Sequence, residues 1–208
     1  MDSINNLIKH FNDFPGIGPR QAKRFVYYLL TRDNAGLREL SSLIAKLKQS
    51  VDVCEECFRF FPRGAKKTEL CSVCADPGRN RSLLMIVPRD TDLETIEKSD
   101  TYRGTYFVLG GSIPILEKNP EERVRLEPLL TYLKKRVAAK NPELREVILA
   151  MNFNPEGENT AETLVEILQP VITAANIKIS NLGRGLSTGT EIEYTDSETL
   201  KNALKNRQ

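Results

Sequence analysis

All four cysteines of the 208-residue chain fall within 21 residues, in the pattern Cys54-x2-Cys57-x13-Cys71-x2-Cys74. A Cys-x-x-Cys knuckle places two sulfurs on one tight turn. Two knuckles supply the four thiolates that a tetrahedral structural Zn²⁺ takes. The intervening residues 58–70 are short and basic (Arg59, Arg63, Lys66, Lys67), with Phe58, Phe60 and Phe61 available to pack around a metal. Two disulfides or four free thiols are the alternatives. The N-terminus has no basic segment leading into an apolar run, so no secretory signal is expected and disulfides are disfavoured. Four ligands close the coordination shell, which makes one structural Zn²⁺, not a catalytic one, the expected cofactor. A finger of this size cannot bury a sufficient core alone, and the metal substitutes for that core.

A second set of residues suits phosphate. Ile4, Leu7, Ile8 and Phe11 recur at helical spacing, and Phe14-Pro15-Gly16-Ile17-Gly18-Pro19-Arg20 follows. Two glycines flanking an apolar residue suit a tight hairpin, and Pro19 suits the first turn of the next helix, through Ala22, Phe25, Val26, Leu29 and Leu30. Helix, Gly-Ile-Gly hairpin and helix together resemble the helix-hairpin-helix motif of DNA-binding proteins. Gly16 and Gly18 let the backbone approach a phosphate. The free N–H groups that open the second helix can bond it, and Arg20, Lys23 and Arg24 add positive charge. Contacts of this kind give affinity without sequence specificity. An αα-hairpin with a solvated basic face is the bland alternative. His10, the only histidine, has no ligand partner nearby and reads as structural or exposed.

The elements that must position these groups change texture along the chain. A third helix is expected over about 37–49, with Leu40, Leu43, Ile44 and Leu47 on one face. From residue 82 the pattern becomes α/β. Leu83–Val87, Tyr106–Leu109, Val147–Ala150 and a run starting at Ile177 read as strands. They alternate with helices expected over 91–98, 121–140 and 161–168, the last curtailed or kinked by Pro170. Alternation of this kind argues for a parallel sheet whose functional loops follow the strand carboxyl ends. Those loops are Pro88–Asp90, Gly110–Ser112 and Asn152–Glu158, and they carry Asp90, Glu156 and Glu158. A glycine-rich stretch from Gly183 to Gly189 follows. Ile192–Tyr194 is expected as a short strand, and 197–206 as a terminal helix with Ser197 as N-cap. The glycine-rich stretch lacks the Gly-Lys-Ser/Thr end of a P-loop, so nucleotide binding there is a minor reading. The fold expected is mixed α/β in four parts: a helix-hairpin-helix region at 1–52, a four-cysteine zinc finger at 53–81, an α/β domain at 82–180 and a C-terminal segment at 181–208.

The formal charge of +2 hides an asymmetry. Residues 1–52 hold 8 Lys/Arg against 5 Asp/Glu, residues 53–81 hold 6 against 4, and residues 82–208 hold 16 against 19. The basic excess is at the front and the acidic excess at the back, as suits a chain with one part for phosphate and another for a basic partner. No apolar run is long enough for a membrane span. The expectation is a soluble intracellular protein.

The order of these parts resembles the RecR family of bacterial recombination mediators over nearly the whole chain. The resemblance rests on Phe14–Arg20, the cysteine quartet, Pro88-Arg89-Asp90 and Tyr102-Arg103-Gly104. It continues in Val108-Leu109-Gly110-Gly111, Glu156-Gly157-Glu158 and the run from Gly183 to Asp196. It implies that the α/β part is a Toprim domain with a Walker B-like C-terminal segment. It also implies a non-enzymatic role in recombinational repair, with DNA, RecO and RecF as partners and RecA loaded onto single strands coated by single-strand-binding protein. A homo-oligomer, dimer or ring-like tetramer, is implied as well. Toprim enzymes hold Mg²⁺ with a glutamate on the first strand and an Asp-x-Asp after a later one. Here those positions carry Ile86, and Asn152 with Asn154. The family resemblance assigns Asp90, Glu156 and Glu158 to partner binding. The rival reading is a Mg²⁺-dependent nuclease or topoisomerase-like enzyme using the same three acids.

Overall fold

A computed structural model describes residues 2–64, 69–138 and 143–207. Lys66 and Lys67 of the basic inter-knuckle segment, and Lys140 at the end of one expected helix, lie outside them. The chain divides into two compact units, 1–51 and 52–208.

The first unit is helical: α1 (Ser3–Asn12), α2 (Pro19–Leu30) and α3 (Asn34–Lys46), with a 3-10 turn over Leu47–Gln49. Asp2 caps α1 through the Ile4 N–H, and Asp33 caps α3 through the Gly36 N–H. Only Ala22 and Val26 of α2 are fully enclosed, and edge-on contacts of Phe11 with Phe14 and Phe25 hold the α1–α2 corner. The expected apolar face of α3 forms but stays open: Leu43, Ile44 and Leu47 are each at least 60% exposed.

The second unit begins with a two-stranded sheet of β1 (Val51–Val53) and β2 (Phe60–Pro62), then the short helix α4 (Ser72–Ala75). The α/β body follows: β3 (Asn80–Val87), α5 (Asp90–Ser99), β4 (Gly104–Val108), α6 (Leu126–Val137), β5 (Glu146–Leu149), α7 (Pro155–Ala175), β6 (Lys178–Asn181) and α8 (Ser197–Lys205). The sheet order is β4-β3-β5-β6 and every pair is parallel. The continuous apolar run in β3 is explained by burial on both faces. Leu84 and Ile86 join Phe107, Leu129, Leu133, Leu164 and Leu168 on one side. Met85 and Val87 join Leu93, Tyr106, Val108 and the four cysteines on the other.

Several expectations are corrected. The helix expected at 121–140 is a 3-10 turn (Pro120–Glu122) followed by α6 from Leu126. Between them the Arg125 N–H bonds the Leu109 carbonyl and its guanidinium the Val108 carbonyl, each at 2.8 Å, which draws the chain out of helix toward the end of β4. The helix α7 starts at Pro155, not 161, so Glu156 and Glu158 stand in its first turn and not in a loop. Asn154 caps it through the Gly157 N–H, and Pro155 occupies N1. Pro170 does not end α7, because the buried stripe Leu164, Leu168 and Ile172 continues past it. Ile192–Tyr194 is a 3-10 turn and not a strand. The cap of α8 is Asp196, whose carboxylate accepts the Glu198 and Thr199 N–H groups, and Ser197 is the first helical residue.

Candidate nucleic-acid interface and metal centre

The hairpin between α1 and α2 is built by its glycines. Gly16 has φ +74°, a left-handed conformation that a side chain would strain. Gly18 is extended and caps α2, while the Gln21 side chain accepts its N–H at 3.3 Å. A Cβ at either glycine would meet nothing within 4 Å among the described residues, so there is open space beside both. Arg20, Lys23 and Arg24 are exposed on α2, and no acid pairs with them among the described residues. The helix start and three unpaired cations can bind an anion approaching the hairpin. Gln21, whose side chain braces the turn, is a residue the glycine pattern did not disclose. His10 is exposed on α1.

The cysteines converge. All four are buried, and their sulfurs lie within 4.8 Å of one another. The Cys57 and Cys71 sulfurs are 3.6 Å apart. Zn–S bonds of about 2.3 Å in a tetrahedron require sulfur–sulfur edges of roughly 3.8 Å, so the set fits Zn²⁺. The Cys71 N–H points at the Cys54 sulfur at 3.4 Å, a contact that favours a thiolate. Hydrogen bonding from Cys57, then Cys71 and Cys74, holds the Cys54 thiol low. Hydrogen bonding to Cys54, Cys57 and Cys71, with burial, pushes Cys74 up. Without a cation, a thiolate at one position disfavours one at the next, and a bound dication removes that conflict. Of the three phenylalanines expected around the metal, Phe61 packs with the cysteine cluster. Phe60 is 50% exposed. Phe58, at φ +61°, turns to the other face of the sheet, against Phe107 at 5.2 Å between ring centroids.

The second unit ties the finger to the sheet. The Val108 N–H bonds the Cys57 carbonyl at 2.8 Å. Asp90, the first residue of α5, accepts the Phe60 N–H at 2.8 Å. Behind them, Arg79 makes a two-pronged pair with Glu97, which also accepts from the Tyr106 hydroxyl at 2.7 Å. Burial works against the Glu97 charge, but the Arg79 and Tyr106 bonds outweigh it and hold the carboxyl below its ordinary value.

Because β3 and β5 are parallel neighbours, Asp90 after β3 and Glu156 and Glu158 after β5 share the carboxyl edge of the sheet. Glu158 pairs with Arg184 at 2.7 Å, and Arg184 lies 4.7 Å from the Phe153 ring centroid. Neither partner stood out in the sequence, since both come from glycine-flanked or irregular segments. A groove of about 470 Å³ opens here, with Leu149, Phe153 and Val165 against Glu158, Glu162 and Glu166. Of the positions expected to answer to the metal-binding acids of Toprim enzymes, Ile86 is fully buried in the core. Asn154 spends its side-chain oxygen on the α7 cap, and the Asn152 carbonyl presses on Gly157. None of these three residues offers a carboxylate to Mg²⁺.

Family models match the chain in three places: the RecR helix-hairpin-helix at residues 4–48, a Toprim domain at 82–182 and the RecR C-terminal region at 185–208. A protein of Bifidobacterium longum subsp. infantis named Recombination protein RecR is 36% identical over 207 residues, which is 99% of this chain and 96% of that protein. Proteins of the same name from Lactobacillus acidophilus and Desulfosudis oleivorans are each 33% identical, over 98% and 99% of this chain and 96% of each relative. With both terminal models specific to RecR and identity of this level sustained from end to end, the chain belongs to the RecR family.

Proposed function

We propose that this protein is a non-enzymatic DNA-binding mediator of recombinational repair. It acts with RecO and RecF to load RecA onto single strands covered by single-strand-binding protein. The observation that carries this reading is the Gly16–Gly18 hairpin with open space beside both glycines, and Arg20, Lys23 and Arg24 exposed at the start of α2 with no acid paired to them among the described residues. One Zn²⁺ on Cys54, Cys57, Cys71 and Cys74 holds the finger, supplying a fixed fourfold crosslink and no chemistry of turnover. Asp90, Glu156 and Glu158 face a basic partner from the carboxyl edge of the sheet, and the groove beside α7, lined by Glu158, Glu162 and Glu166, supports the assignment of Glu158. The open α3 face supports a homo-oligomer, a dimer or a ring-like tetramer. The division of labour follows the expected parts, with 1–52 holding DNA and 82–180 recruiting the partner, in the bacterial cytoplasm at the nucleoid.

The test is DNA binding by the full chain. Arg20→Ala with Arg24→Ala should weaken binding, with a shallower salt dependence and an unchanged circular dichroism spectrum. An unchanged titration at moderate salt overturns the DNA-contact role. Mg²⁺-dependent cleavage or relaxation of DNA that Glu156→Ala abolishes would instead establish an enzyme.

A further inference from the structure

The helix α2 carries more than phosphate chemistry. Ala22 and Val26 are buried on its inner face. At 3.6 residues per turn, Arg20, Lys23, Arg24 and Tyr27 share the opposite, outward face, with Tyr28 at its margin. Tyr27 is 51% exposed and Tyr28 58%. The Lys23 ammonium lies 5.9 Å from the Tyr27 ring centroid, and the Arg32 guanidinium lies 5.8 Å from that of Tyr28. Two half-exposed aromatic rings thus stand among exposed cations on the same helix.

A duplex offers this face phosphates but no ring to stack on. An unpaired strand offers both an anionic backbone and free base faces. A second copy of the chain is a poor occupant, because a two-fold contact through this patch would bring the three cations of each copy together. We infer that Tyr27, flanked by Tyr28, is a stacking platform for an unpaired base beside the phosphate contacts of Arg20, Lys23 and Arg24, so that α2 favours single-stranded over duplex DNA. This rests on the reading of α2 as a phosphate contact and adds to it the form of nucleic acid preferred. Stacking is indifferent to base identity, so the preference is for strandedness and not for sequence.

The experiment uses the full-length protein and three labelled probes of equal length: oligothymidylate, an abasic single strand and a duplex. Tyr27→Ala should weaken oligothymidylate binding by about 5- to 150-fold, the range for loss of one stacked base, and leave the abasic and duplex titrations unchanged. Tyr27→Phe keeps the ring and should restore wild-type binding. Equal losses on all three probes, or no loss on oligothymidylate, overturn the platform. So does a change of oligomeric state on sizing without a selective loss, which would assign Tyr27 to contact between copies. Arg20→Ala with Arg24→Ala is run in parallel on the duplex. If that variant binds duplex normally, the phosphate reading itself fails, whatever Tyr27 does.

Discussion

Glu97 shows how one residue can hold two segments together. It takes both prongs of Arg79, from just after the second knuckle, and the hydroxyl of Tyr106 on β4. Arg79 is 8% exposed and Glu97 23%, so the pair is weakly screened. Glu97→Gln should destabilise the second unit by about 2–3 kcal/mol, because Arg79 loses its nearest counter-charge and keeps only the more exposed Asp76, at 3.6 Å. The sign of the pH dependence follows from the depressed carboxyl. The folded pKa lies below the unfolded one, so the stabilisation is complete above the ordinary carboxylate range and is lost as pH falls through the folded value. Thermal melts of wild type and Glu97→Gln should therefore converge in acid and separate toward neutrality. A gap that stays constant from acid to neutral pH would remove the ion pair as the cause.

At the scale of the element, α7 depends on one close approach. A Cβ on Gly157 would sit 2.1 Å from the Asn152 carbonyl oxygen, a backbone atom that cannot turn aside. Gly157→Ala should destabilise by about 2 kcal/mol or more and disturb the first turn that carries Glu156 and Glu158. Thermal unfolding reads the first effect, and amide exchange at the start of α7 reads the second. An alanine variant as stable as wild type would show that the first turn is freer to shift than its packing indicates. The same residues explain why the stretch Asn152–Glu158 looked like a loop. Asn, Pro and Gly are turn residues by composition, yet here they serve as N-cap, N1 and a contact point.

For the whole molecule, the four-cysteine cluster is part of a core and not an appendage. The cysteines share one buried cluster with Met85, Val87, Leu93, Tyr106 and Val108 of the sheet. Removing zinc with a chelator should therefore lower the melting transition of the second unit by about 10 °C or more. Hydrogen exchange should show new exposure in β3 and β4, while α1 and α2 keep their protection. Metal analysis well below one zinc per chain in folded protein, or a chelator without effect on the melt, would remove zinc from the account.

Local chemistry was legible in the sequence. The knuckle spacing, the glycine hairpin, Pro19 at the start of α2 and the four parallel strands are set by neighbours within a turn or by a period, and backbone geometry determines these almost alone. Tertiary structure decided the rest. The Asp90 bond to Phe60 spans 30 residues, and the Arg79–Glu97 pair spans 18. Phe58 packs on Phe107 and not with the cysteines, and Arg184 pairs with Glu158. Contacts of this kind depend on which strands lie side by side and which loops leave the same edge, and no spacing along the chain encodes that. The cysteines mark the boundary between the two: each pair within a knuckle is fixed by the turn, but the meeting of the two knuckles needed the sheet behind them.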